Sequence, residues 1–276
     1  MKATQLNLFG RYAPVGRLIS GFYGAISFLT VIPAPYSGKD NSVWAFSVVG
    51  LIMGTIAGFL FYVSYFLVGP FPASAISIST LMLLSGLNHV DAVIDTGDAL
   101  MARGNAERRR EVIKDRYLGA GGLGSFFIIY GILLVTLPQF GALFGFAVIV
   151  LMETLSKFLM VVSLYESNIF SEGYAKTFRG QLYSDMTMNI FANLIPPLCV
   201  LVLYLPLLIL PTLVTFALVY ALKTQIESLF GGINGDIVGF LGELSKMFLV
   251  VLIAFEIHLL LILRVVAVYH AIPFFG

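Results

Sequence analysis

Asn88 to Asp98 reads Asn-His-Val-Asp-Ala-Val-Ile-Asp-Thr-Gly-Asp, directly after an uncharged stretch that reaches back to Asn41. On a helix turning about 100° per residue, Asp91, Asp95 and Asp98 fall within about a 60° arc and along roughly 10 Å of axis. Carboxylates so placed repel one another. A hard divalent cation such as Mg²⁺, commonly held by one or two carboxylates together with substrate phosphates, would relieve the repulsion. The competing reading is a solvated helix mouth neutralised by the arginines downstream. His89 lies about 160° around the helix from Asp91, which suits an interfacial or packing histidine better than a general base.

Glu107 to Arg116 carries Arg108, Arg109, Arg110, Lys114 and Arg116 interleaved with acids at helical spacing. Such a run is usually a solvated amphipathic helix, but cations beside a metal site are also what an anionic substrate requires. A second loop reads Gly231-Gly232-Ile233-Asn234-Gly235-Asp236, followed by Gly239 and Glu243. Its glycines would let backbone N–H groups approach phosphate oxygens. Asp236 and Glu243, seven apart, share a face if a helix begins near Asp236, and a plain Gly-rich turn is the alternative. Glu153 and Lys157 lie four apart inside an apolar run and can neutralise each other, as a functional or a structural pair. Glu256 and His258 have no evident partner and leave room for a cavity or an oligomer contact. Gly119 to Gly124 formally contains a GxGxxG pattern, but no strand precedes it and no acid follows at the right distance, so close helix packing is the better account. Cys199, the single cysteine, lies in an apolar run and reads as a buried, inert thiol.

The elements that must carry these groups are membrane helices. The 276 residues are 59% apolar and 11% charged, against about 25% charged in soluble domains, and 16 basic residues nearly balance 15 acidic ones. That charge balance provides no field for nucleic acid. Seven stretches are long enough to span, given that about 20 apolar residues cross a bilayer. They are Ser42–Val68 and Ala73–Val90, Leu123–Leu137 and Ala142–Tyr165, Thr187–Tyr204 and Leu207–Leu222, and Phe248–Tyr269. The apolar run Leu18–Pro35 is cut short by Pro33 and Pro35 and reads as re-entrant or interfacial, and the start of the chain lacks the pattern of a removed signal peptide. The fold class is therefore all-α: one polytopic bundle of about seven spans plus that N-terminal segment. Three hairpins in succession put Asp91–Gly122, Glu166–Met186 and Lys223–Met247 on one face. These connections hold ten of the Lys and Arg residues, and the opposite tips hold none, which makes the charged face cytoplasmic.

In their order the motifs resemble the cobalamin synthase family, the adenosylcobinamide-GDP ribazoletransferases. The likeness rests on Phe28 to Pro35, on His89-Val90-Asp91 with Asp95-Thr96 and Asp98, and on Lys114-Asp115 with Gly119. It continues through Ser156-Lys157-Phe158, Glu172-Gly173 and Gly231 to Glu243. It runs from about Ile26 to Ala254. Departures are Ala92 and Ala99 in place of Gly, Arg116 in place of Ser, Lys157 in place of Arg, Asn234 in place of Thr and Lys246 in place of Glu. The resemblance implies a membrane transferase joining adenosylcobinamide-GDP to α-ribazole, or its 5′-phosphate, with release of GMP. It implies Mg²⁺ held by Asp91, Asp95, Asp98 and Asp236, with Lys114 and Lys157 screening phosphate charge. Asp115 or a helix aspartate would accept the hydroxyl proton, and Gly231, Gly232, Asn234, Gly235 and Glu243 would contact substrate. Asp95 to Arg103 also resembles half of the CDP-alcohol phosphotransferase signature, but Val112, Arg116 and Ala120 fail the other half. A transporter is the reading from a different class, and the one-sided clustering of polar loops argues against it.

Overall fold

The computed structural model describes residues 6–35, 40–115, 117–204 and 207–271. Arg116, counted among the charges of the connections, lies outside them. Every long element is a helix: α1 (Leu6–Leu29), α2 (Phe46–Val68), α3 (Pro70–Leu84), α4 (Asn88–Met101), α5 (Ala106–Val112), α6 (Ala120–Thr136), α7 (Ala142–Ser163), α8 (Tyr174–Ser184), α9 (Met186–Tyr204), α10 (Ile209–Phe230) and α11 (Gly235–Ala271). Among the described residues six helices are long and apolar enough to cross a membrane, or seven if the bent pair α3–α4 is one span. Val15–Leu29 within α1 is apolar but shorter than a span.

α7 is the centre of the bundle. Most of its residues from Ala147 to Val161 are buried, and it packs against α2, α11 and α9. The close approach of α2 comes from Gly50, Gly54 and Gly58, one turn apart. A methyl at each would lie 2.8 Å from Cγ of Lys157, 3.0 Å from Cα of Val150 and 2.9 Å from Cδ2 of Phe146. Small residues at this spacing let membrane helices touch backbone to backbone. Polar cross-links add to the packing. Asn193 donates to the carbonyl of Val43 (2.8 Å) and accepts from the amide of Ser47 (2.8 Å), while Gln181 Oε1 accepts from both the amide and the hydroxyl of Ser42 (3.0 Å each).

Two sequence expectations about boundaries are corrected. Ala73–Val90 is not one straight span: the helix breaks at Ser85-Gly86-Leu87 and its two halves meet at 91°. Gly86 and Leu87 both take φ of +63°, the left-handed region, which turns the chain sharply. The end of α1 supports the corner, because the amide of Val31 donates to the carbonyl of Leu84 (2.8 Å). The connection expected over Lys223–Met247 is nearly all helix, with only residues 231–234 between α10 and α11. Lys223 does not end α10, because it pairs with Glu227 one turn on (2.8 Å) and is buried.

Candidate active site

α4 leaves the corner with its acidic face toward α6 and α11, the helices it packs against. The crossing with α6 is tight: a methyl on Gly121 would lie 2.7 Å from the carbonyl oxygen of Gly97. The glycine-rich run before α6 thus serves close packing, as its sequence suggested. The N-terminus of α6 also holds an anion. Asp98 accepts from the amides of Gly119 (2.7 Å) and Gly122 (2.8 Å), where the helix dipole favours negative charge. The start of α11 brings in a further carboxylate. Asn234 caps it by accepting from the amide of Ile237 (3.0 Å), and its Nδ2 donates to Oδ2 of Asp236 (2.7 Å).

The outcome is a gathering of like charges. Asp95 lies within electrostatic reach of Asp91, Asp98 and Asp236. Asp91 is exposed and the other three are partly buried. No Lys or Arg among the described residues forms an ion pair with any of the four. Nor do three acidic, His or Cys side chains among the described residues converge closely enough to cage an ion unaided. Four unneutralised carboxylates with hard oxygen donors nevertheless suit Mg²⁺, which keeps waters and typically takes only one or two protein carboxylates beside substrate phosphates.

Asp91 and Asp236 line a cavity of about 610 Å³ together with Phe28 of α1, His89 of α4, Met160 of α7 and Tyr174 and Phe178 of α8. Asp95 and Asp98 continue along α4, one and two turns from Asp91. Gly235 reaches the cavity wall. Gly231 and Gly232 do not line it, and their amides are both taken by the carbonyl of Glu227. Their left-handed φ values, +66° and +146°, turn the chain from α10 into α11.

The remaining sequence candidates lie elsewhere. Lys157 and Glu243 belong to a buried ion network: Glu153 sits 2.8 Å from Lys157 and 2.6 Å from Lys246, Lys246 pairs with Glu243 (2.7 Å), and Tyr130 donates to Glu243 (3.2 Å). Lys114 and Asp115 are exposed on the turn after α5, away from the cavity lining. The arginines of α5 act on backbone. Arg109 donates to the carbonyls of Ala99 and Leu100 (2.9 and 2.6 Å) and Arg110 to that of Phe230 (2.5 Å), so this short helix clamps the C-terminal ends of α4 and α10. Sequence reasoning missed Tyr174 and Phe178. Their spacing of one helical turn, just after the Glu172-Gly173 motif, is the signal that pointed to them.

A family model described as cobalamin-5-phosphate synthase matches residues 21–254. The chain belongs to that family. An adenosylcobinamide-GDP ribazoletransferase of Picrophilus torridus is 36% identical over 244 residues, covering 87% of this chain and all of the relative. One from Thermoplasma volcanium is 33% identical, covering 86% and 92%, and one from Archaeoglobus fulgidus is 31% identical, covering 80% and 91%. No solved structure matches the chain.

Proposed function

We propose that the protein carries out the reaction named for its relatives, transferring the cobinamide-phosphate group of adenosylcobinamide-GDP to α-ribazole or its 5′-phosphate, with release of GMP. The observation that carries the mechanism is the set of four carboxylates, Asp91, Asp95, Asp98 and Asp236, gathered beside a nucleoside-sized cavity with no cationic side chain among the described residues paired to them. A ribose hydroxyl that is free in both acceptors, and so not the 5′ position, attacks the phosphorus on the cobinamide side, the new P–O bond forms, its proton leaves, and the bond to the GMP oxygen breaks. Positioning and charge neutralisation dominate phosphoryl transfer. Mg²⁺, held by these carboxylates, would supply the positive charge that draws the diphosphate in and stabilises the departing GMP. Asp91 and Asp236 face the cavity and are placed to orient the diphosphate end of the substrate. Asp98, fixed by two amides, keeps further lone pairs for a ligand. A carboxylate on the α4 face accepts the hydroxyl proton. Asn234 holds the Asp236 carboxylate in place.

Lys114 and Asp115 would act on substrate parts that extend beyond the cavity, toward the turn after α5. Lys157 and Glu243 would act from behind, through the ion network that fixes α7 against α11. The excess of Lys and Arg in the connections supports a cytoplasmic position for this end of the bundle. Glu256 and His258 on α11 lie outside the cavity lining and would be available to an oligomer contact.

The deciding experiment follows GMP release by purified protein supplied with adenosylcobinamide-GDP and α-ribazole, with and without Mg²⁺. Release is expected only with the metal, and EDTA should abolish it reversibly. CMP release from CDP-diacylglycerol under the same conditions, with no GMP from the corrinoid substrate, would overturn the reading.

A further inference from the structure

The cavity that holds Asp91 and Asp236 has a second wall of different chemistry. Phe28 of α1 meets Phe178 of α8 edge-on, with ring centroids 4.5 Å apart and planes at 67°, and Tyr174 lies nearly parallel to Phe178 at 5.8 Å and 17°. Phe46 closes the group from behind, 5.1 Å from Phe178. Burial divides the four rings sharply. Phe46 and Phe178 are 1% and 5% exposed, whereas Tyr174 is 68% exposed. The open ring is not there to meet lipid, because its neighbours on the first turn of α8 are the exposed ion pair Glu172–Lys176 and the threonine Thr177. A flat ring set on a rigid, buried aromatic pedestal and facing an aqueous cavity is a stacking surface.

A second observation points to a ligand in the same place. His89 lines the cavity and is 8% exposed, and its Nε2, which has essentially no exposed surface, lacks a hydrogen-bond partner among the described residues. A buried polar atom left without a partner is costly, and a small turn of the ring toward the cavity would let a bound molecule with a polar edge satisfy it. The volume of about 610 Å³ suits a nucleoside and is too small for a corrin macrocycle with its side chains.

We propose that Tyr174, backed by Phe178, is the platform on which a planar heteroaromatic base of a nucleoside substrate stacks, with His89 hydrogen-bonding to the edge of the same bound molecule. The inference rests on the transferase reading, whose two substrates each carry such a base: the acceptor riboside and the guanosine of the donor. Both attach their base to a ribose, which in the acceptor carries the attacking hydroxyl and in the donor carries the diphosphate, so either base can be held here while the reacting group reaches the carboxylates.

The test uses the whole protein in lipid nanodiscs as wild type, Tyr174→Leu, Tyr174→Phe and Tyr174→Trp. Initial rates of GMP release are measured with each substrate varied in turn. Tyr174→Leu is expected to raise KM about tenfold for one substrate while kcat stays within twofold, since base–aromatic stacking is sequence-tolerant but needs a ring. Tyr174→Phe and Tyr174→Trp should keep KM near the wild-type value, which a merely structural role for the hydroxyl or the volume would not reproduce. A raised KM for the riboside assigns the platform to the acceptor base, and that increase should be larger for a riboside with a fused bicyclic base than for one with a single ring. A raised KM for the donor assigns it to guanine. The proposal is overturned if both KM values stay within twofold in Tyr174→Leu, or if kcat falls with KM unchanged, or if the aromatic replacements fail to restore KM. Wild-type protein that releases no GMP would sink the transferase reading separately. Equilibrium dialysis of radiolabelled riboside and of GMP against wild type and Tyr174→Leu would then still decide the platform, with equal binding overturning it.

Discussion

Two aspartates on the same helix face are held in different ways, and their amide variants should therefore differ. Asp95 sits among carboxylates, with Asp91, Asp98 and Asp236 in electrostatic reach, so replacing it by Asn removes repulsion and costs the fold nothing evident. Asp95→Asn is expected to reduce GMP release by more than 100-fold while thermal stability in detergent is unchanged or slightly raised. Near-wild-type turnover in that variant would remove Asp95 from the chemistry. Asp98 instead accepts from two backbone amides, and an Asn there has only one acceptor oxygen and turns its NH₂ group against the other amide. Asp98→Asn is expected to lose activity and also about 1–3 kcal/mol of stability, read as a lowered midpoint of thermal unfolding. At this scale the sequence revealed the acids, since their spacing alone aligns them on α4. It did not reveal that Asp98 is anchored by the start of α6, because those amides lie more than 20 residues away. The same limit hid the ion network. The Glu153–Lys157 pair shows in its spacing of four, but Lys246 reaches Glu153 from another helix. Lys246 serves two buried carboxylates and Lys157 only one, so Lys246→Met is expected to cost about 3–5 kcal/mol of stability and Lys157→Met less. Equal losses of thermal stability in the two variants would contradict this.

Among the elements, the corner between α3 and α4 decides where the acidic face points. Without it, the helix that begins at Pro70 would continue straight and carry Asp91 to Asp98 away from α11. Gly86 adopts φ +63° without strain, but a methyl there would also lie 2.8 Å from Cγ1 of Val31. Leu87 adopts φ +63° despite its side chain, at a cost of about 1–2 kcal/mol, and is half exposed. The two positions should therefore respond in opposite directions. Gly86→Ala is expected to lower both stability and GMP release, whereas Leu87→Gly should keep activity and unfold at the same or a higher temperature. A loss of activity in Leu87→Gly comparable to that in Gly86→Ala would show that the corner is not set by these dihedrals. This break was not legible in the sequence, because an apolar run with one glycine and no proline reads as a continuous span. Where the breakers were explicit the spans were found nearly to the residue, as at Gly69-Pro70 and around Pro138 and Gly141. Charges misled in the other direction. Lys223 reads as the edge of a span, yet its partner Glu227 lies one turn further along α10, so the helix runs on with the pair buried against its neighbours.

For the molecule as a whole, sidedness is the expectation that rests on composition and not on contacts between distant residues. If each pair of spans returns the chain to one face, the acids, the basic α5 and the charged α8 all lie on that face. If α3 and α4 together form one broken span, the corner lies within the bilayer or at its edge and the parity is kept. The orientation can be measured with a single cysteine at a time, in a background where Cys199, the only native thiol and exposed on α9 where its apolar run suggested burial, is replaced by Ser. Glu111 and Lys176 are exposed on α5 and α8, and Gly141 stands at the opposite tip with open space where a side chain would go. A membrane-impermeant maleimide is expected to label Glu111→Cys and Lys176→Cys only in inside-out vesicles and Gly141→Cys only in intact cells. Labelling of Glu111→Cys from outside the cell would reverse the molecule, and the carboxylate site would then face away from the nucleotide pool that its reaction requires.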